Sequence, residues 1–227
     1  MSLMTPIEAP LSLTDRALDT LRREILATQL APGETLSEAA TAQRLGLGKA
    51  PVRAALARLA EEGLVQAVPR RGWVVALVTI RDIHEVFDLR LLLEPEAARR
   101  AAGRVDAEKL RELDAVCAAG HRPGDADSAL AFLEANRAFH VAVAELAGNT
   151  RLARQIGRLL DESTRMLVLG LQRRDRSGEM AHEHLALIEA LALGEREQAA
   201  RIMHEQVEAS RAMVLSALTA PSMGIAI

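Results

Sequence analysis

Cysteine is nearly missing from this 227-residue chain: Cys117 stands alone, so no intrachain disulfide can form. Lying beside Leu113 and Val116, it reads as part of an apolar helical stripe, a buried structural thiol rather than a redox or catalytic one. Aromatic rings are also scarce, with no Tyr, one Trp and three Phe. That is too few for the exposed stacking surfaces that RNA and single-strand binders use. No apolar run approaches the roughly 18 residues of a membrane span. The start of the chain lacks the charged-then-apolar pattern of a secretion signal, so a cytoplasmic protein with no membrane partner is expected. A Gly-rich phosphate loop, a nucleophile elbow and a Cys-His pair are all missing, which argues against an enzyme.

What is present is most informative between Leu36 and Val78. Ser37 precedes a short amphipathic run with Ala40 and Leu45 on one face, which suits an N-capped helix. Gly46 and Gly48 then permit a tight helix-helix turn, plugged by Leu47. In the next helix Pro51 occupies the first turn, and Val52, Leu56 and Leu59 recur at helical spacing before Gly63. Leu64 to Val68 and Trp73 to Leu77 follow, rich in strand formers, with the turn Pro69-Arg70-Arg71-Gly72 between them. Helix, turn, helix and two-stranded ribbon together predict a winged helix-turn-helix.

The charges indicate where a partner docks. From Ala39 to Val78 six basic residues (Arg44, Lys49, Arg53, Arg58, Arg70, Arg71) face two acidic ones (Glu61, Glu62), a net +4 in a chain of net −3. Positive charge concentrated on one module of an acidic protein is the pattern of a face that neutralises phosphates; a merely solvated helix face is the alternative. Lys49 and Arg53 form an i, i+4 pair at the helix start that enters the major groove in helix-turn-helix proteins.

The runs LRREIL, LAPGETLSE, PVR at Pro51 to Arg53, and LAEEGLV followed by RRG resemble, in order and spacing, the N-terminal domain of the GntR family of bacterial transcription regulators. The resemblance implies DNA contacts from Arg44, Lys49 and Arg53 around the recognition helix, and from Arg70, Arg71 and Gly72 in the wing. The sequence departs from the family at Gly48, usually a Ser or Thr cap, at Ala50, often Thr, and at Ala39, often an Arg.

From Thr79 onward Ala, Leu, Glu and Arg dominate. Helices are predicted near 80–102, 106–120, 126–147, 150–173, 180–193 and 195–219, with breaks at Gly103, Arg122-Pro123-Gly124, Gly148-Asn149, Ser177-Gly178 and Gly194. The fold class expected is mainly α: the winged helix with its two-stranded wing, then an all-α six-helix antiparallel bundle. The domains expected are a flexible tail at 1–12, the winged helix at 13–78, the helical domain at 79–220 and a tail at 221–227, with a hinge from Val75 to Arg81.

Polar residues interrupt the inward stripes of that bundle. Asn136 and His140 share a face with Phe132, Phe139 and Val143. His184 lies in line with Met180, Leu187, Ile188 and Leu191. Arg90 and Glu94 share a face with Ile83 and Phe87, where a guanidinium needs an anionic partner. Gln206 stands with Ile202, Ala209 and Met213, whereas His204 falls on a solvated face.

The strings DLRLLLEPEAARRAA, NRAFHVAVAELAGN and EHLALIEALALGEREQAARIM are similar to the FCD ligand-binding domain of the FadR branch of that family. The similarity implies a homodimer on near-palindromic operator DNA and a small carboxylate effector bound inside the bundle. It also implies a divalent metal, zinc or nickel, on one Asp and three His. Asn136 stands at the usual Asp, His140 and His184 at two of the His, and Gln206 at the third; His204 is about 200° away on its helix. Imidazoles bind zinc or nickel well, but amides bring no charge. Three readings stay open: an ion on His140, His184 and Asn136; a polar cavity of Arg90, Asn136, His140, His184 and Gln206 holding an organic acid directly; or core histidines with no ligand. The function expected is an effector-controlled transcriptional regulator. The alternatives are an effector-independent architectural DNA binder and a metal-dependent enzyme.

Overall fold

The computed structural model describes residues 12–219. Apart from Ser12, the tails expected at 1–12 and 221–227 lie outside them. Two compact units are present: one ends at Leu77, and the second takes in Val78 onward together with Leu26–Thr28.

The first unit opens with α1 (Leu13–Leu26), whose Ala17, Leu18, Leu21 and Ile25 are buried. These side chains join Val52, Ala55, Leu56 and Leu59 in one apolar core. This helix adds to the sequence expectation, in which LRREIL is a motif with no element assigned to it. After β1 (Thr35–Leu36), Ser37 caps α2 (Glu38–Leu45) by accepting from the Ala40 N–H, and Gly46 ends that helix with φ 64°. Helix α3 (Lys49–Glu61) starts at Gly48, which offers no side-chain cap.

Strands β2 (Val65–Val68) and β3 (Gly72–Val75) form the expected ribbon, but the sheet has three strands in the order β1-β3-β2. This corrects the two-stranded expectation: β1 pairs antiparallel with β3 through Thr35 and Leu36. Two residues are too short to show a period-2 pattern, so β1 is invisible in the sequence.

The wing turn closes with the Arg71 N–H donating to the Val68 carbonyl at 3.1 Å. Arg70 in it has φ 65° and Gly72 has φ 88°. At Gly72 a Cβ would stand 2.9 Å from the Leu36 carbonyl oxygen, so only glycine fits beside β1. Gly72→Ala should therefore destabilise this unit by about 1–3 kcal/mol. Trp73 is the only Trp in the chain, and its fluorescence during urea unfolding reports the loss directly.

The second unit is all helical: α4 (Ile80–Ala101), α5 (Ala107–Ala118), α6 (Ala126–Leu146), α7 (Thr150–Arg173), α8 (Ser177–Leu193) and α9 (Arg196–Thr219). Short polar residues start most of them. Thr79 and Asp82 form a reciprocal capping box on α4, while Asp106, Asp125 and Asn149 cap α5, α6 and α7. Helix α8 begins at Ser177 rather than near 180. The glycine expected to break the chain, Gly178, lies in the first turn, where Asp175 accepts from the Ser177 N–H and the helix proceeds.

The buried face of α5 is Leu110, Asp114 and Cys117. Leu113 and Val116, expected beside the thiol, are exposed, so the stripe is corrected by one helical step and a carboxylate occupies a core position. Likewise on α9 the buried line runs through Met203, Gln206, Val207 and Ser210. Ile202 and Ala209 are only half-buried.

Candidate functional site

Five helices converge on one small cavity. Helix α4 supplies Arg90, α6 supplies Asn136 and His140, α7 supplies Leu167, α8 supplies Glu183 and His184, and α9 supplies Gln206. The sequence-predicted effector residues thus line a single site. They are brought there by the helical spacing that buries Phe87, Phe139, Leu187 and Val207 on the same faces. Its volume, about 10 Å³, has room for one water or one ion.

Behind each imidazole stands a carboxylate. His140 Nδ1 is 2.7 Å from Glu94 Oε2, and His184 Nδ1 is 2.6 Å from Asp114 Oδ1. A carboxylate only accepts, so each Nδ1 carries the proton and donates it, and Nε2 is the nitrogen left for the cavity. The rings are close, with centroids 5.4 Å apart, and Phe139 stacks on His184 at 4.1 Å. Burial lowers the His184 pKa against the opposing pull of Asp114, which favours the neutral ring that ligates.

Arg90 does find the anionic partner its buried position requires. Its Nε donates to Glu94 Oε1 at 2.6 Å, its NH1 donates to Ser163 Oγ at 3.2 Å, and it lies over the Phe87 ring. Glu94 therefore bridges Arg90 and His140. Burial alone pushes its carboxyl up, but the charge of Arg90 and the hydrogen bonds from His140 and Arg90 overcome this and hold it at about 2.

The amides are not satisfied. Among the described residues Asn136 Oδ1 and both side-chain polar atoms of Gln206 are buried without a hydrogen-bond partner. Orphaned groups of this kind are costly and mark a place where an occupant belongs. Two Nε2 lone pairs and the orphaned amide oxygens Asn136 Oδ1 and Gln206 Oε1 make a set of acceptors, which fits a cation better than an anion.

Sequence reasoning missed Asp114 and Glu183. Asp114 is legible only as a charged residue three positions from Cys117 on a buried face. The two share a consequence: burial, then the Asp114 charge, push the Cys117 thiol far above its usual range. A thiol-reactive chromophore at pH 8 should thus label Cys117 only after unfolding, on the timescale of global opening.

On the winged-helix unit, Lys49 opens α3 and is exposed, and Arg70 and Arg71 sit exposed in the wing turn beside Gly72. Arg53 is engaged by Glu38, with Nε and NH2 donating at 2.7–3.0 Å, while Trp73 Nε1 donates to the same carboxylate. Arg44 is held by both oxygens of Glu24. The carboxylates Glu24 and Glu38 lie just before the basic segment that starts at Ala39. Over all of residues 13–78, nine basic residues face seven acidic ones, so the module is less basic than its second half.

Comparison with known proteins agrees with this build. Residues 13–75 match the bacterial regulatory proteins of the gntR family, and residues 85–209 match the FCD domain. An HTH-type transcriptional regulator of Agrobacterium vitis from the TAR-I ttuE-ttuC' intergenic region is 34% identical over 100 residues, 44% of this chain and 58% of that protein. The HTH-type transcriptional repressor RspR of Escherichia coli is 31% identical over 114 residues, 50% of each chain. The chain thus spans little more than half the length of these curated relatives. The solved structure of E. coli McbR/YncC superimposes with a TM-score of 0.67 at 22% identity, covering 91% of this chain and 98% of that one, a likeness of fold.

A winged helix followed by a helical domain is the build of the two matched family models. The chain belongs to the GntR family of bacterial transcription regulators and carries an FCD domain. GntR-type regulators bind operator DNA, and no helix among the described residues is long and apolar enough to cross a membrane.

Proposed function

We propose that this regulator belongs to the FadR branch and works in the cytoplasm as a homodimer on a near-palindromic operator. In this reading, a small carboxylate bound in the helical unit controls its operator affinity. The observation that carries the reading is the convergence of His140 and His184, each backed by a carboxylate, with the orphaned amides of Asn136 and Gln206 around one cavity.

The two imidazoles are the donors here that zinc or nickel prefers. His140 and His184 would hold such an ion through Nε2, with Asn136 and Gln206 offering amide oxygens. A bound ion would supply a Lewis-acidic anchor for the effector carboxylate. Arg90 orients His140 through Glu94, and Asp114 fixes the tautomer of His184. Direct pairing of an effector acid with Arg90 is disfavoured, because Glu94 already occupies that guanidinium.

DNA contact falls to Lys49 and Arg53 at the start of α3 and to Arg70, Arg71 and Gly72 in the wing, with Arg44 flanking. The exposure of Lys49, Arg70 and Arg71 supports this. Coupling follows from linkage. An effector that favours one conformation of the dimer changes operator affinity by its differential binding energy.

Elemental analysis and native mass spectrometry of the purified protein, then calorimetry with small acids and gel shifts, test the reading. Bound zinc or nickel, acid binding and a matching change in operator affinity are expected. Neither metal nor acid binding under varied conditions would sink the effector site. Operator affinity indifferent to a bound acid would sink the coupling alone.

A further inference from the structure

Asp114 lacks what Glu94 has. It is 1% exposed, and among the described residues no Lys or Arg side chain pairs with it. Its ion-pair partner is the imidazole of His184, which burial holds toward its neutral form. A buried carboxylate with no cation beside it is costly, and it marks a place where positive charge belongs.

The groups around it complete a ligand set. Cys117 lies three residues further along the buried face of α5, and His184 reaches over from α8. A carboxylate oxygen of Asp114, the Cys117 sulfur and a ring nitrogen of His184 lie within 4.8 Å of one another, all three residues being buried. His184 Nδ1 stands 2.6 Å from Asp114 Oδ1 and is the nitrogen that faces the cluster. Around a tetrahedral zinc ion with bonds of about 2.0–2.3 Å, neighbouring donors stand roughly 3.3–3.7 Å apart, so shifts of about 1 Å bring these three into place.

We infer that Asp114, Cys117 and His184 form a zinc site that ties α5 to α8, with a carboxylate oxygen, the thiolate sulfur and Nδ1 as ligands. On binding, the thiol proton leaves to water and the imidazole proton passes from Nδ1 to Nε2. Two anionic ligands and one neutral ring then balance the dication, and a thiolate favours zinc over hard cations. The charge of the ion offsets the burial and the Asp114 charge that keep the free thiol protonated. This site is independent of the ion proposed for the cavity. That ion uses Nε2 of the same ring, so the two positions are filled one at a time.

Cobalt(II) reports thiolate ligation by a charge-transfer band in the near ultraviolet. The experiment titrates it into the metal-stripped full chain and then adds zinc. Cys117 is the only thiol in the chain, so the band has a single source and wild type alone is decisive. Folded wild type should show the band at one ion per chain and lose it to zinc. Cys117→Ser should abolish the band, and Cys117→Ser and Asp114→Asn, each checked for folding by circular dichroism, should weaken zinc binding by tenfold or more.

Cobalt bound without the band would overturn the inference and assign the ion to the cavity. Zinc affinity unchanged in either variant would overturn the three-ligand set. A band no stronger in folded protein than in urea would overturn it by showing that the thiol binds without the fold. Uptake of neither ion, even by protein refolded in their presence, would overturn it together with the ion reading of the cavity.

Discussion

Replacing Glu94 by Ala should destabilise the helical unit by about 3–5 kcal/mol, the usual consequence of leaving one member of a buried ion pair alone. Arg90 and Glu94 are both almost fully buried, with side chains 2% and 1% exposed. The variant therefore strands a guanidinium and also removes the acceptor that orients His140. Urea unfolding followed by far-ultraviolet circular dichroism measures the loss. A double replacement, Arg90→Met with Glu94→Leu, should recover most of it, because two apolar side chains of similar size need no counter-charge. A single-variant loss below about 1 kcal/mol would show that water reaches Arg90 readily.

The same carboxylate sets an acid limit. Its pKa is lowered from 4.5 to about 2 in the folded protein, so the unfolded chain binds the proton more readily. The stabilisation is complete above the unfolded value and is lost as pH falls from there through about 2. Its size is on the order of 3 kcal/mol. Metal-free protein titrated with acid should unfold within that window, and Glu94→Gln should flatten the response.

Lys49→Ala combined with Arg53→Ala should weaken specific operator binding by about 1–3 kcal/mol per base-reading side chain. The double variant should also make the salt dependence shallower, by roughly one unit of slope for each phosphate that is no longer neutralised. Lys49 is exposed at the first residue of α3, and no ion pair among the described residues holds it. Arg53 must exchange Glu38 for DNA or carry that carboxylate into the interface. Fluorescence anisotropy on a labelled operator at several salt concentrations reads both quantities. Full affinity in the double variant would rule out this docking.

Much of the fold can be read from the chain because its signals are local. Ser37, Gly46 and Pro51 punctuate the helix-turn-helix, and Asp106, Asp125, Asn149 and Gly194 mark the ends of bundle helices to within a few residues. Candidate ligands are legible for the same reason: a polar residue on an apolar helical face stands out by periodicity, as Asn136, His140, His184 and Gln206 do. Signals fail where they are too short or too solitary. Strand β1 has two residues and takes its place only by pairing with β3. The face of α5 is easily misread because Leu113 and Val116 look like core, while the buried Asp114 looks like surface.

The sequence by itself determined the element types outside α1 and β1, the inward faces of α4, α6 and α8, and the family, since helical period, capping and turn chemistry are written residue by residue. Only the tertiary structure decided who neutralises whom. Glu94 bridges Arg90 to His140, Asp114 reaches His184 from 70 residues away, and Glu24 and Glu38 quench Arg44 and Arg53. Such pairings depend on distances of a few ångströms between side chains on different helices. In a low-dielectric interior those distances govern charge, tautomer and affinity, and no pattern along the chain encodes them.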